Sequence, residues 1–385
     1  MSNALPVHHD LEELKGLARD LVEACDSSDP GAFHRWAVRL RGGHDGREYL
    51  PEKIERRWIE FRKTAEDCSL ETAESFIARE HGFASWPEFS SFVQDMTRDG
   101  SDVYVFEAAA DAIVEGNIEA LRKLIDEHPG LTRQRSTRFH HSTLLHYVSA
   151  NGVEDFRQIT PPNIVEITSL LLDAGSEIDA ESDDYGGGCT TLGLVATSVH
   201  PEHAGVQIEL METLLERGAK MDLPSAGGNR HSLIYACFAN GQPKAGEYLA
   251  SRGAPVDLAA AGALGRVDII RGYFDEYGNL RPPTTSKQMQ NSFVDACWNG
   301  RVDVVKFLLD RGGSVDLKSE IWDATALEAT LWSWQHPASA DVRERCCEVV
   351  ALLARAGAKL DAGTLSGPLA TDSRMQAALR GEMPQ

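Results

Sequence analysis

From residue 171 onward, hydrophobic residues recur in a short sequence motif that ends a helix and then turns the chain. In each copy apolar residues lead to a glycine, and an aspartate follows four residues later. The copies are LLDAGSEID (171–179), LLERGAKMD (214–222), LASRGAPVD (249–257), LLDRGGSVD (308–316) and LARAGAKLD (353–361). Glycine adopts the left-handed conformation that closes a helix. The recurrence therefore predicts an array of short helices.

Apolar residues upstream of these glycines fall at helical spacing. In one outer helix they are Val304, Val305, Phe307, Leu308 and Leu309. A shorter helix precedes the outer one, as in TLLHYVSANG (143–152), SLIYACFANG (232–241) and FVDACWNG (293–300). Two short helices cannot bury both apolar faces alone, so stacking on neighbouring pairs has to complete the core.

One of the short helices carries a recognisable motif. TLLHYV at 143–148 resembles the T-P-L-H-x-A signature of ankyrin repeats, with Leu144 in place of proline and Val148 in place of alanine. TTLGLV (190–195) and TALEAT (325–330) keep the threonine and leucine. The resemblance implies an all-α ankyrin-repeat solenoid of helix pairs over residues 102–362. We count seven irregular units, roughly 104–135, 136–180, 181–223, 224–257, 258–281, 282–317 and 318–362, followed by a C-terminal cap or tail at 363–385.

Residues 1–100 show helical periodicity without the repeated phrase. The segment SLETAESFIAREHGFASWPEFSSFV (69–93) is similar to a helical module that precedes ankyrin repeats in soil-bacterial proteins. Its aromatic residues are expected to build a small core of their own. We therefore expect a helical N-terminal cap domain, whose polar outer face would keep the array soluble.

Charge and composition narrow the range of partners. The chain has 38 basic and 59 acidic residues, a net charge of −21. Nucleic acid is disfavoured because phosphate binding depends on clusters of lysine and arginine. The acidic surface is compatible with a basic protein partner or a cationic small molecule. No run of about 18 apolar residues suggests a membrane helix, and the N-terminus lacks the pattern of a secretory signal, so we expect a cytoplasmic protein.

The sequence offers no motif for catalysis, a metal or a cofactor. The seven cysteines are scattered and form no C-x-x-C pair, so we expect reduced, structural thiols. His140 with His141, and His200 with His203, lack the companions of a metal site and are expected to be solvated loop residues. His146 is at the T-P-L-H position, where the resemblance implies hydrogen bonds within the turn.

The resemblance also implies a concave surface lined by the inner helices and by the loop fingers before them. When the repeats are aligned, the position after the T-P-L-H histidine is occupied by Tyr147, Tyr235 and Asp295 in three different copies. We expect both tyrosines to be exposed. One turn later lie Phe238, Trp298 and Trp332, although Phe238 and Trp298 could equally pack between repeats. The fingers add Arg138, Phe139, Arg230, His231 and Trp322, side chains that turn geometry does not require and that favour recognition.

Three long links between inner and outer helices, at 151–164, 197–207 and 332–344, favour a specialised groove, because insertions in repeat proteins often serve binding.

Two hypotheses about function follow. The favoured one is a binding module that holds a protein or peptide partner in the concave groove. The alternative is an ankyrin-fold enzyme or small-molecule binder, with acid-base candidates Asp295, Tyr147, Tyr235, His146 and His231. A closed apolar pocket of about 300–1,000 Å³ containing a carboxylate or histidine would favour a small molecule.

Overall fold

The computed structural model of the chain describes residues 10–41, 50–63, 67–221, 231–359 and 368–383. These residues divide into two compact units, one ending at Lys220 and the other beginning at Met221. We call them unit 1 and unit 2 and describe each by itself. The boundary expected near residue 100 lies inside unit 1.

The regular secondary structure of unit 1 is almost entirely helical. Its α-helices are α1 (Leu11–Asp26), α2 (Ala32–Arg41), α3 (Pro51–Arg62), α4 (Leu70–Glu80), α5 (Trp86–Met96), α6 (Asp102–Val114), α7 (Ile118–Glu127), α8 (Ile164–Asp173), α9 (Thr191–Ala196), α10 (Val199–His203) and α11 (Gln207–Glu216). Short 3₁₀ helices span Leu131–Arg133, Leu144–Ser149, Asp155–Arg157 and Asp184–Gly186. Two short strands, β1 (Glu181–Ser182) and β2 (Cys189–Thr190), pair antiparallel, with Glu181 opposite Thr190.

Helices α1 to α5 enclose an aromatic core, as the sequence predicted. Phe76 lies at its centre, with its ring centroid 5.0 Å from that of Trp58 and 5.4 Å from that of Phe61. Serine N-caps begin two of these helices, Ser69 for α4 and Ser85 for α5, because a serine oxygen can accept from a free amide of the first turn.

The expectation that the cysteines are reduced thiols is wrong for one pair in this region. Cys25, near the end of α1, and Cys68, just before α4, are joined by a disulfide. The packing of α1 against α4 brings together two residues that are far apart in sequence. The other five cysteines are free and buried. Burial raises the pKa of Cys189 and of Cys237 to about 12, so these thiols are unreactive, as expected of structural residues.

Unit 2 continues the pattern of paired helices. Its helices are α12 (Leu233–Ala239), α13 (Pro243–Ser251), α14 (Leu258–Leu264), α15 (Val267–Arg271), α16 (Ser286–Trp298), α17 (Val302–Leu309), α18 (Ala326–Gln335), α19 (Ala340–Arg355), α20 (Pro368–Thr371) and α21 (Ser373–Leu379). The apolar faces of helices α14 to α21 share one core that includes Phe293, Val305 and Leu353. The outer helix α17 buries Val304, Val305, Phe307 and Leu308, whereas Leu309 is only partly buried.

The glycines of the repeated phrase have the predicted role. Gly175, Gly218, Gly253, Gly312 and Gly357 all have positive φ, between 77° and 96°. Each follows the last turn of an outer helix, where a side chain would strain the left-handed backbone.

Helix α14 of unit 2 is built from small residues, and its composition explains how closely it packs. Its sequence, LAAAGAL, has no side chain larger than alanine between its two leucines. A Cβ added at Gly262 would lie 2.3 Å from the carbonyl oxygen of Ser292 in α16. Glycine therefore permits the close approach of α14 to α16.

None of the helices described in the structure combines the length and the apolar composition that a membrane-spanning helix requires.

Candidate functional site

A pocket of about 420 Å³ opens in unit 2 between the inner helices and their flanking loops. Helix α12 contributes Tyr235 and Phe238, and α16 contributes Asp295 and Trp298. Trp322 comes from the finger before α18, and Trp332 from α18 itself. The predicted unit 2 residues Tyr235, Asp295, Trp298, Trp322 and Trp332 thus line a single pocket.

Three tryptophans form one wall of this pocket. The ring centroid of Trp298 lies 5.1 Å from that of Trp322 and 4.5 Å from that of Trp332. Trp298 and Trp322 are partly buried against the core, whereas Trp332 is 49% exposed. The finger is closed by backbone hydrogen bonds from Ser319 to Ala324 and from Asp323 to Ser319, both 2.9 Å. This closure places the Trp322 ring beside Trp298.

Asp295 supplies a carboxylate with an incomplete set of partners. It is only 3% exposed, and its Oδ1 accepts a 2.9 Å hydrogen bond from the Trp322 indole nitrogen. Its Oδ2 is buried without a hydrogen-bond partner among the described residues. Burial raises the pKa of Asp295 to about 7, against the opposing effect of the Trp322 hydrogen bond and with a smaller contribution from Asp257. Such an oxygen costs free energy unless something pairs with it.

Tyr235 places a second polar atom in the same pocket. Its hydroxyl is buried, and no hydrogen-bond partner for it lies within the part of the chain that the structure describes. Burial raises the pKa of Tyr235, and the charges of Asp295 and Asp257 raise it further. The ring of His231 lies 4.6 Å from that of Tyr235, and its Nδ1 is 3.8 Å from the carboxylate of Asp257. His231 therefore supports Tyr235 from outside the pocket lining.

Two expectations about this site are wrong. Tyr235 is buried rather than exposed. Tyr235 and Asp295 also do not share a repeat register when the helices are aligned on the glycines that close them, Gly241 and Gly300. The hydrogen bonds after those glycines run from Gln242 to Cys237 and from Arg301 to Ala296, which aligns Asp295 with Ala236. The two side chains reach one pocket from positions one residue apart.

The third long link contributes to the pocket as expected of an insertion that serves binding. It supplies His336, Ala338 and Val342 to the lining. The ring of His336 lies 4.6 Å from that of Trp332. His336 was not singled out as a site residue, although its position inside this insertion was the available signal.

The remaining candidates lie in unit 1 or outside the described residues. His146 and Thr143 form a capping box, in which His146 Nδ1 accepts from the Thr143 amide at 3.0 Å. Its Nε2 therefore donates, to the carbonyls of Ala180 and Cys189. Burial lowers the pKa of His146 to about 4, so the neutral imidazole joins two parts of the fold. Arg230 lies outside the described residues.

Tyr147 was expected to be exposed and is 0% exposed. Its hydroxyl donates to Glu154 Oε1 at 3.3 Å. Phe139 is exposed as expected, and its backbone amide donates to the Gly82 carbonyl at 3.0 Å. The finger that carries Phe139 therefore contacts the α4–α5 turn.

Unit 1 also contains a buried ionic cluster that the sequence did not reveal. Arg138 Nη2 donates to Glu107 Oε2 at 3.0 Å, and its Nε lies 2.6 Å from Glu154 Oε1. Arg157 Nη1 donates to the same Glu107 oxygen at 2.6 Å. Burial opposes ionisation of Glu107 and Glu154, but the guanidinium charges outweigh it and lower the pKa of both carboxyls.

This cluster corrects two expectations about fingers and links. Arg138 and His140 are buried rather than displayed at a finger tip, and His140 Nε2 lies 3.3 Å from Glu154 Oε1. The first long link, which supplies Glu154 and Arg157, folds inward. The pairing of Glu154 with Arg157 three residues later was the only local signal for this.

The described residues contain no group of three or more His, Cys, Asp or Glu side chains that could hold a metal ion. What the unit 2 pocket offers instead is a wall of indole rings, a buried carboxylate and a tyrosine hydroxyl. This combination suits a ligand that is largely apolar and carries one group able to satisfy the carboxylate.

Paired helices, glycines of positive φ at the helix ends and the Thr143–His146 capping box together are typical of one repeat architecture. The repeat units have the ankyrin-type fold. No protein-family model matches the chain, and no curated protein matches it. Among solved structures it is similar to the human ASB11 ankyrin repeat domain, at 18% identity and a TM-score of 0.35, over 63% of this chain and 96% of that one.

It is also similar to a chain in the structure of the predatory endopeptidase Bd0816 from Bdellovibrio bacteriovorus in complex with the immunity protein Bd3460. The identity is 16% and the TM-score 0.34, over 62% of this chain and 97% of that one. Likeness at such identities says nothing about a ligand.

Proposed function

We propose that this chain is a binding protein and that the unit 2 pocket holds the group it recognises. One observation carries the proposal: Asp295 Oδ2 is buried without a partner in the described residues, in a pocket walled by Trp298, Trp322 and Trp332. A buried carboxylate oxygen without a partner calls for an explanation, and a ligand that pairs with it is one. A ligand that pairs with the Asp295 carboxylate would offset the cost of its burial, and this pairing would contribute to the binding energy.

The pocket volume limits what can enter. At about 420 Å³, it admits one small molecule or one side chain of a larger partner. In the second case a protein or peptide would lie along the inner helices and insert one residue. Aromatic anchors provide much of the binding energy at protein interfaces, and Trp332, the most exposed of the three, is the anchor that a macromolecular partner would meet first.

Catalysis is the second candidate, favoured by one observation. The pKa of Asp295 is about 7, near the value at which a general acid or base works best at neutral pH. An enzyme also needs a second group that acts on the reacting bond. Tyr235 is the nearest candidate, but burial raises the pKa of its hydroxyl, which disfavours the phenolate. We therefore place binding first.

Affinity capture from lysate of the native cells tests the proposal. Wild type, Trp332→Ala and Tyr277→Ala would be immobilised in parallel, and retained proteins and small molecules identified by mass spectrometry. Tyr277 is the matched control, since it is 81% exposed in unit 2 and does not line the pocket. We expect a ligand retained by wild type and Tyr277→Ala, with at least tenfold lower recovery on Trp332→Ala. Equal recovery on all three would place the binding site elsewhere.

A further inference from the structure

The chemistry of the unit 2 pocket defines the class of ligand. We propose that it binds an organic cation, an ammonium group carrying methyl groups, held against Trp298, Trp322 and Trp332 and paired with the carboxylate of Asp295. This inference rests on the proposed function and specifies the ligand of the same site.

The indole wall provides the first half of such a site. Tryptophan is the aromatic residue that attracts a cation most strongly, through the negative face of its ring. Here the Trp298 indole lies 5.1 Å from that of Trp322 and 4.5 Å from that of Trp332, centroid to centroid. A methylated ammonium suits this wall because methyl groups contact the rings as hydrocarbon while the positive charge interacts with their faces.

Asp295 provides the second half, a negative charge that nothing described in the chain neutralises. The residues that line the described pocket include no lysine or arginine. Asp295 also lies in the last turn of α16, which ends at Trp298, and the C-terminal end of a helix carries partial negative charge. The carboxylate and the helix end together favour a cation and repel an anion.

The remaining polar groups fit this assignment. The hydroxyl hydrogen of Tyr235 can rotate so that an oxygen lone pair faces a cation, while its ring adds a further aromatic surface. A methylated ammonium also costs less to remove from water than a primary ammonium, because it donates few or no hydrogen bonds to solvent. A buried carboxylate with a single hydrogen-bond donor, the Trp322 indole, can pair with it without further donors.

Isothermal titration calorimetry of the full chain at pH 8 tests the charge requirement. The probes are tetramethylammonium, choline and 3,3-dimethyl-1-butanol, the last being the neutral carbon analogue of choline. We expect saturable choline binding, with the neutral analogue at least tenfold weaker. Equal affinity for choline and its neutral analogue, or no saturable binding of either cation, would overturn the inference.

Variants assign the binding to the two halves of the site. Asp295→Asn and Trp332→Ala are each expected to weaken choline at least tenfold. Asp310→Asn, the same change of charge at an exposed residue of unit 2, and Tyr277→Ala are expected to bind as wild type. Trp332 is half exposed, so its variant should fold even if Asp295→Asn does not. Choline binding that survives both pocket substitutions would overturn the assignment.

Two further probes distinguish a free metabolite from a side chain of a partner. A short peptide containing trimethyllysine and the same peptide with unmodified lysine would be titrated alongside choline. Tighter binding of the trimethyllysine peptide than of choline assigns the cation to a protein partner, and the reverse assigns it to a small molecule. If capture yields a pocket-dependent ligand that is neutral or anionic, the cation inference fails and the proposed function stands. If capture yields none, the proposed function fails.

Discussion

At the scale of single residues, Asp295 stands out because its carboxyl group binds a proton more tightly in the folded chain than in the unfolded one. Its pKa rises from 3.8 to about 7 on folding. Between these values the folded state holds the proton and the unfolded state does not. Raising the pH through this window therefore lowers the free energy of unfolding. The titratable groups facing Asp295 are Tyr235 and Asp257, and His336 lies across the pocket.

We predict that unit 2 loses up to about 4 kcal/mol of stability between pH 4 and pH 7 on account of Asp295, since each pKa unit is worth about 1.4 kcal/mol. Asp295→Asn should flatten this dependence, and Asp310→Asn should keep it. Urea denaturation at several pH values, read by hydrogen exchange of α16 peptides, measures the effect. A slope equally steep in Asp295→Asn would show that the carboxyl is not buried as described.

The sequence identified the residue types of the site better than their surroundings. The resemblance predicts Asp295, Trp298 and Trp332 on the concave surface, and Trp322 is a side chain that the turn geometry of a finger does not require. Their partners could not be predicted, because the orientation of Trp322 depends on the closure of a finger and the burial of Asp295 depends on neighbouring helices. The same limit applies to Tyr147, whose hydroxyl donates to Glu154 only because the link that follows its helix folds inward.

At the scale of elements, helix α17 tests how far a pattern of apolar residues predicts burial. All five apolar residues of its face were expected in the core, and Leu309 was a natural choice for a truncation costing about 2–5 kcal/mol. The structure buries Leu308, at 2% exposure, more completely than its neighbour Leu309. The end of the helix turns Leu309 partly toward solvent, a detail that helical spacing alone does not contain.

We therefore predict that Leu308→Ala costs about 2–5 kcal/mol of unfolding free energy and that Leu309→Ala costs clearly less. Equilibrium urea denaturation of the two variants under the same conditions provides the comparison. Equal losses would mean that both leucines are buried to the same extent.

The helix ends were the most predictable elements, because a glycine with positive φ acts locally and independently of the rest of the fold. The long links were the least predictable. The third lines the pocket, as expected of an insertion, whereas the first turns inward and supplies Glu154 and Arg157 to the ionic cluster. Both outcomes depend on partners that are remote in sequence. Composition alone therefore could not distinguish a link that lines the pocket from one that folds inward.

At the scale of the whole molecule, the two units contain buried charges with opposite dependence on pH. The pKa values of Glu107 and Glu154 in unit 1 are lowered by Arg138 and Arg157. Their contribution to stability is present above the ordinary carboxyl range and is lost as the pH falls toward the folded-state pKa. Asp295 in unit 2 has a raised pKa, so acid favours its folded state.

We predict that Glu154→Gln destabilises unit 1 by about 3–5 kcal/mol at neutral pH, because it leaves buried guanidinium groups incompletely compensated. Glu115→Gln, at an exposed position of the same unit, should change stability by less than about 0.5 kcal/mol. Hydrogen exchange of α6 peptides during urea denaturation reports on this unit. A Glu154→Gln variant as stable as Glu115→Gln would show that the cluster is not held by this carboxylate.

The crowding of three indoles in the unit 2 pocket has an optical consequence. The chain has 7 tryptophans, and Trp298 lies within 5.1 Å of two others, centroid to centroid. Transition dipoles so close together mix, and a fixed, chiral arrangement of them produces a paired positive and negative band in circular dichroism. A ligand that inserts between the rings would change this pair of bands. Ligand binding to the pocket can therefore be followed by circular dichroism of the unmodified protein, without an added dye.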